Sequence, residues 1–206
     1  MATLLQINSS PLQSSISREL TAEFTKVWEA KHPAGTVITR DLAATTPAPI
    51  DQAWIGAAYT PDDAQTPEQK ATLALSDTLI AELFQADEIV IGVAMHNFSV
   101  PSVLKLWIDQ VVRRGKTFSY GANGPEGLLK GKKATILIAT GGVYEPGTPL
   151  GGLNFVEPYL SGLFGFLGIT DIRFVTAGGA SQVLMGTVDR NVFLKPTIEQ
   201  VRSLAA

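Results

Sequence analysis

The chain has 206 residues, 45% of them hydrophobic and 17% charged, with a formal net charge of -3. That length suits one domain, and the apolar content supports a substantial core and excludes a disordered chain. Interspersed charges of nearly balanced sign argue against a nucleic-acid partner, and the absence of cysteine excludes disulfides, thiolate nucleophiles and Cys-based metal sites.

Met1–Ser10 carries no basic n-region, and its apolar run is too short for a signal peptide. Within it, Thr3–Asn8 is a short apolar run that suits a buried first strand. Leu20, Phe24, Val27 and Trp28 then fall at i, i+4, i+7 and i+8, the stripe of an amphipathic helix. Thr36–Thr39 reads as a second strand. A polar, Pro-rich segment follows over residues 41–65, a length at which loops are functional or carry short helices of their own. Thr66-Pro67-Glu68-Gln69 is a helix start, with Thr66 as cap, Pro67 at the first helical position and Gln69 completing a capping box. Leu75, Leu79, Ile80 and Leu83 supply that helix's buried stripe.

Glu88–Ala94 is a near-continuous apolar run, as expected for a central parallel strand buried on both faces. From Pro101, Leu104, Trp107, Ile108, Val111 and Val112 mark a third helix. Arg113-Arg114-Gly115-Lys116 is too short for a nucleic-acid footprint and reads as a solvated helix end. Ala134–Ala139 and Ile172–Val175 are a fourth and a fifth strand, with a helix over Phe155–Phe166 between them and a last one from about Val188 to Leu204. No stretch approaches the roughly 18 apolar residues of a membrane span. With only His32 and His96 and no motif linking them, no metal site is expected. The expectation is a soluble, cytoplasmic α/β protein whose five strands form a doubly wound parallel sheet.

Ligands of such sheets sit at the carboxyl ends of the strands, near the point where strand order reverses. After strand one, Asn8–Ser17 holds five serines and no Lys or Arg, and it leads into a helix. Free N–H groups, the helix dipole and hydroxyls there can hold a phosphate, a flexible loop with a Ser cap being the alternative. Neither G-x-G-x-x-G nor Walker A is present. After strand three, Met95-His96-Asn97-Phe98 combines hydrogen-bonding groups with polarisable apolar surface, which suits a flat heteroaromatic ring. After strand four, Thr140-Gly141-Gly142-Val143-Tyr144 carries paired glycines that permit positive φ and close approach to a ligand, or simply turn the chain.

On these residues the chain resembles the FMN-dependent NADH:quinone oxidoreductase and azoreductase family, most strongly from Met95 through Thr117-Phe118. The resemblance implies a single flavodoxin-like FMN-binding domain over 1–206, with strand order 2-1-3-4-5 and helices on both faces, acting as a homodimer. It implies a phosphate site at Ser9, Ser15, Ile16 and Ser17. Met95, His96, Asn97 and Phe98 would lie against one side of the flavin ring, with Thr140, Gly141, Gly142 and Tyr144 approaching from the other. Phe118 and Tyr120 would cover the acceptor pocket, and Lys105, Trp107 and Asp109 would contribute to the dimer contact. The family pattern has Tyr at 96, often Gln at 16 and often His at 144, so this chain departs from it at three positions.

The activity so implied passes electrons from NADH or NADPH to quinones and azo compounds by a ping-pong mechanism. The flavin carries the chemistry, and no side chain acts as nucleophile. His96 is a candidate proton donor to the acceptor, against a purely structural role. A flavodoxin-type electron carrier serving protein partners is the alternative function; net -3 and the extra loop segments argue against it. An interaction protein using the same fold without flavin is a third.

Overall fold

A computed structural model describes residues 1–122 and 124–205. Its first strand, β1 (Thr3–Asn8), leads into α1 (Ile16–Lys31), β2 (Thr36–Asp41), α2 (Gln52–Tyr59), α3 (Pro67–Gln85) and β3 (Glu88–Ala94). Then come α4 (Ser102–Val111), β4 (Phe118–Gly121), β5 (Gly124–Gly127) and β6 (Lys133–Ala139). The chain ends with α5 (Val156–Phe166), β7 (Asp171–Ala177), the single turn α6 (Ser181–Leu184) and α7 (Arg190–Ala205).

Five strands form one parallel sheet in the order β2-β1-β3-β6-β7, which is the expected 2-1-3-4-5 arrangement counted over the main sheet. Because side chains alternate across a strand, the sheet divides the core in two. Leu5, Ile7, Ile89, Ile91, Ile136 and Ile138 face α3, α4 and α5. Leu4, Val90, Leu137 and Val175 face α1 and α7. The central strands β3 and β6 each bury five consecutive residues, as a parallel sheet covered on both faces requires.

Local signals explain several helix starts. The Thr66–Gln69 capping box forms in both directions, with Pro67 in the first turn. The stripe of α3 runs along Leu73, Ser76, Leu79, Ile80 and Leu83, so Leu75 packs at its margin while Leu73 is buried with Trp54 and Ala57 of the 41–65 segment. The last helix starts two residues later than expected, because the Asp189 carboxylate accepts from the Asn191 and Val192 N–H groups and caps it there.

The 41–65 segment contains a helix of its own, α2, capped by Asp51. Trp54 anchors it: the indole N–H donates to Gln110 Oε1 at 2.9 Å, and the Gln110 amide donates on to Ala48 O. The β4–β5 hairpin was not legible in the sequence, since Gly-Pro-Glu-Gly has little strand preference. It is held by tertiary contact. A Cβ at Gly127 would lie 2.1 Å from the Leu167 backbone, and Leu129 N–H donates to Leu167 O.

Candidate functional site

Parallel pairing puts the ends of β1, β3 and β6 on one edge of the sheet, with Asn8 opposite Gly92 and Ala94 opposite Ala139. The strand order reverses at β1, so the loops that leave this edge frame the crevice.

The first loop is shaped by Gly92. A Cβ there would meet Ser17 O at 2.8 Å and Thr21 Cγ2 at 2.9 Å, so its absence lets α1 press its first turns against β3. Ser9, fully buried, donates both its N–H (3.2 Å) and its hydroxyl (2.7 Å) to Gly92 O. The Ser9 hydroxyl therefore ties the loop down. The first turn-to-turn bond of α1 runs from Glu19 N–H to Ser15 O, and Ser15 makes no side-chain cap. The N–H groups of Ile16, Ser17 and Arg18 thus stand ahead of the helical ladder at the positive end of the dipole. Beside them the hydroxyls of Ser15 and Ser17 lie 2.9 Å apart. Such a cradle suits a phosphate.

A charge clamp holds the cradle. Arg18 donates through Nε and Nη2 to Ser10 O and through Nη1 and Nη2 to both oxygens of Asp41, the last residue of β2. These bonds from Arg18 hold the Asp41 carboxyl below the usual carboxylate range. Arg18 is neutralised in this way, so an anion held at the loop would meet mainly neutral donors. From the start of α7, Arg190 reaches Ser14 O and Glu19.

The second loop is a tight reversal. His96 and Ser99 exchange both backbone hydrogen bonds at 3.0 Å, and the central residues Asn97 (φ 47°) and Phe98 (φ 71°) are both left-handed, as in a type I′ turn. Asn tolerates that region; a phenylalanine there stores of order 1 kcal/mol or more of strain. Phe155 N–H holds the Phe98 carbonyl at 3.2 Å. Met95 packs on the core while its N–H donates to Ala139 O, and His96, Asn97 and Phe98 are exposed. The His96 imidazole has no hydrogen-bond partner among the described residues.

The third loop is braced from behind. Thr140 Oγ1 donates to Gly142 O, and Gly179, Ala180 and Ser181 donate backbone N–H groups to Gly142 O, Thr140 O and Gly141 O. Neither Gly141 nor Gly142 takes a positive φ, so their conformational freedom is not what the loop uses. What Gly141 provides is room, since a Cβ there would meet nothing within 4 Å. Tyr144 meets Phe98 edge to face at 6.2 Å between ring centroids, which joins the second and third loops.

Phe118 and Tyr120 lie apart from these loops, on β4. Their rings meet at 5.7 Å, and Phe118 also touches Phe166 at 4.8 Å. Phe118 lines a cavity with Trp54 and Ile55 of α2, to which no residue of the three loops contributes. On α4, Lys105 and Asp109 form a surface ion pair, but Trp107 is 1% exposed and packs in the core, so its expected place at a subunit contact is corrected. Gly92, the Arg18–Asp41 clamp and the 179–181 brace were missed in the sequence. A glycine inside an apolar strand signals close backbone approach, and it was the one sign available.

Among the described residues no group of three or more His, Cys, Asp or Glu could hold a metal, and no helix is long and apolar enough to cross a membrane. Comparison with known proteins places the arrangement in context. The family profile described as flavodoxin-like fold matches residues 2–191. Over its full length the chain is 59% identical to an FMN-dependent NADH:quinone oxidoreductase of Acidobacterium capsulatum, and all of that protein is covered. It is 49% identical, again with both chains fully covered, to FMN-dependent NADH:quinone oxidoreductase 3 of Burkholderia lata. Among solved structures it is similar to an FMN-dependent NADH-azoreductase from Bacillus anthracis in complex with FMN, at 26% identity and a TM-score of 0.87, covering 100% of this chain and 98% of that one.

Proposed function

The chain belongs to the flavodoxin-like family of FMN-dependent NADH:quinone oxidoreductases, and from that premise we propose that it binds FMN across its three loops and passes electrons from NADH to quinones and azo compounds. One observation carries the reading. The unpaired N–H groups at the start of α1 open on the same sheet edge as the 96–99 turn, which offers a phosphate cradle and a ring platform together.

The residues divide the work. N–H groups of Ile16, Ser17 and Arg18, with the Ser15 and Ser17 hydroxyls, hold the phosphate, and Ser9 fixes the loop through Gly92 O. Met95 and Phe98 pack the ring. The Asn97 and Phe98 N–H groups sit in a turn that leaves them free to face negative charge developing at the ring edge. Thr140, Gly141, Gly142 and Tyr144 border the ring from the other side. We assign His96 to the turn through its backbone.

FMN held by these residues would supply the two-electron, proton-coupled redox chemistry that links the nicotinamide to the acceptor. Both reactants need the same stacking face, so they occupy it in turn, which is ping-pong order. Exposed aromatic surface at Tyr120, Phe155 and Phe166 supports a homodimer in which Phe118 and Tyr120 cover the acceptor of one subunit or the other.

The purified protein is expected to be yellow, or to become so with FMN, and to oxidise NADH with a naphthoquinone in parallel-line kinetics. A colourless protein that cannot be loaded with FMN overturns the reading. Intersecting lines overturn the alternating order alone. Turnover with a protein acceptor only would make it a carrier.

A further inference from the structure

Beside Phe118 and Tyr120 lies a cation that the site described so far does not use. The turn after α4 places three cations in sequence, Arg113, Arg114 and Lys116, and two of them are already neutralised. Arg113 is buried and donates through Nη1 to Ser76 Oγ (2.9 Å) and Asp77 Oδ1 (2.6 Å). Lys116 pairs with Asp62 at 2.6 Å. Arg114 has no carboxylate partner among the described residues. Its guanidinium instead lies over the Tyr120 ring, 5.7 Å from the centroid.

Two adjoining cavities meet at this residue. One, about 350 Å³, is walled mainly by apolar groups, Ile50, Trp54, Ile55, Val112 and Phe118. The other, about 400 Å³, has a mixed polar and apolar wall that includes Tyr59, Asp62 and Lys116. Arg114 borders both. The carboxylate that faces the apolar cavity, Asp109, is held by Lys105 at 2.5 Å, so Arg114 sets the local sign of charge. An aromatic-walled slot with an unpaired, ring-stacked guanidinium on its border matches a planar molecule with an anionic substituent at one end.

We propose that Arg114 is a specificity-determining residue that selects planar acceptors bearing a sulfonate or carboxylate. This rests on the reading that Phe118 and Tyr120 cover the acceptor. Guanidinium recognises such oxyanions through paired N–H donors, and stacking on Tyr120 pre-orients it, so little rotamer freedom is lost on binding.

The test compares wild type and Arg114→Ala, as FMN-loaded protein with NADH, on an azobenzene dye and its ring-sulfonated analogue. Intrinsic dye reactivity cancels in the ratio of kcat/KM, sulfonated over neutral, between the two proteins. That ratio is expected to fall about tenfold in Arg114→Ala, as for loss of one charge-assisted contact. It should stay level in Lys195→Ala, which removes the same charge from the exposed face of α7, and the effect should shrink with added salt. An equal ratio in wild type and Arg114→Ala overturns the assignment. So does a parallel series with NADPH as donor in which the fall appears only there, which would give the anion to the donor. A wild type that reduces neither dye and no quinone brings down the functional reading itself, a result distinguishable from a failure of Arg114 alone.

Discussion

Replacing Gly92 with alanine probes the contact on which the proposed phosphate cradle depends. The new methyl would sit 2.8 Å from Ser17 O and 2.9 Å from Thr21 Cγ2. Relief to an ordinary contact needs a shift of about 0.6 Å between α1 and β3, and overpacking of this kind costs about 1–3 kcal/mol. For a domain of this size the midpoint of thermal unfolding should fall by roughly 2–4 °C per kcal/mol. The same shift moves the N–H groups of residues 16–18 off a phosphate, so FMN affinity should drop about tenfold or more, the equivalent of one charge-assisted hydrogen bond. Differential scanning calorimetry of the apoprotein and FMN titration by fluorescence quenching measure the two effects separately. If Gly92→Ala melts within a degree of wild type and binds FMN equally well, then α1 is not seated on Gly92 in the way described.

The Asp41 carboxyl is held below its ordinary range by Arg18, so its contribution is present at neutral pH and lost as pH falls through its folded-state value, below about 3.8. FMN release on acidification should carry that component, about 1 kcal/mol at most for such a pair or roughly fivefold in Kd, and Asp41→Asn should lack it. An Asp41→Asn protein with the wild-type acid limb would argue against the clamp. Phe98→Gly removes a left-handed strain of about 1 kcal/mol, so it should melt about 2–4 °C higher while turning over NADH more slowly, having lost the ring against Tyr144. A lower melting point would show that the ring contact outweighs the backbone. His96→Tyr should retain quinone turnover within about twofold across the pH range, since only its backbone closes the turn. A variant with a displaced acid limb would assign His96 to proton delivery.

Much of the architecture was legible because it is written in short-range periodicity. Continuous apolar runs marked β3 and β6, a four-residue signature marked the start of α3, and the five serines after β1 pointed to a helix amino end. Resemblance to a family then named FMN as the ligand proposed for that edge, a step that periodicity alone does not supply.

Other features depend on which residues meet across long stretches of chain. The β4–β5 hairpin contains Gly-Pro-Glu-Gly and exists because Leu167 backbone lies against Gly127. Trp107 reads equally as core or interface until α4 is packed, and packing buries it. Arg18 and Asp41, 23 positions apart, become a clamp only when β2 pairs with β1. By itself the sequence determined the strand–helix order, the parallel sheet and the loops at its carboxyl edge, since these follow from local hydrophobic pattern and capping. The tertiary structure alone decided which cations are neutralised, which glycine seats α1 and which guanidinium is left over an aromatic ring. Those outcomes are set by distances between residues far apart in the chain, which composition and spacing do not encode.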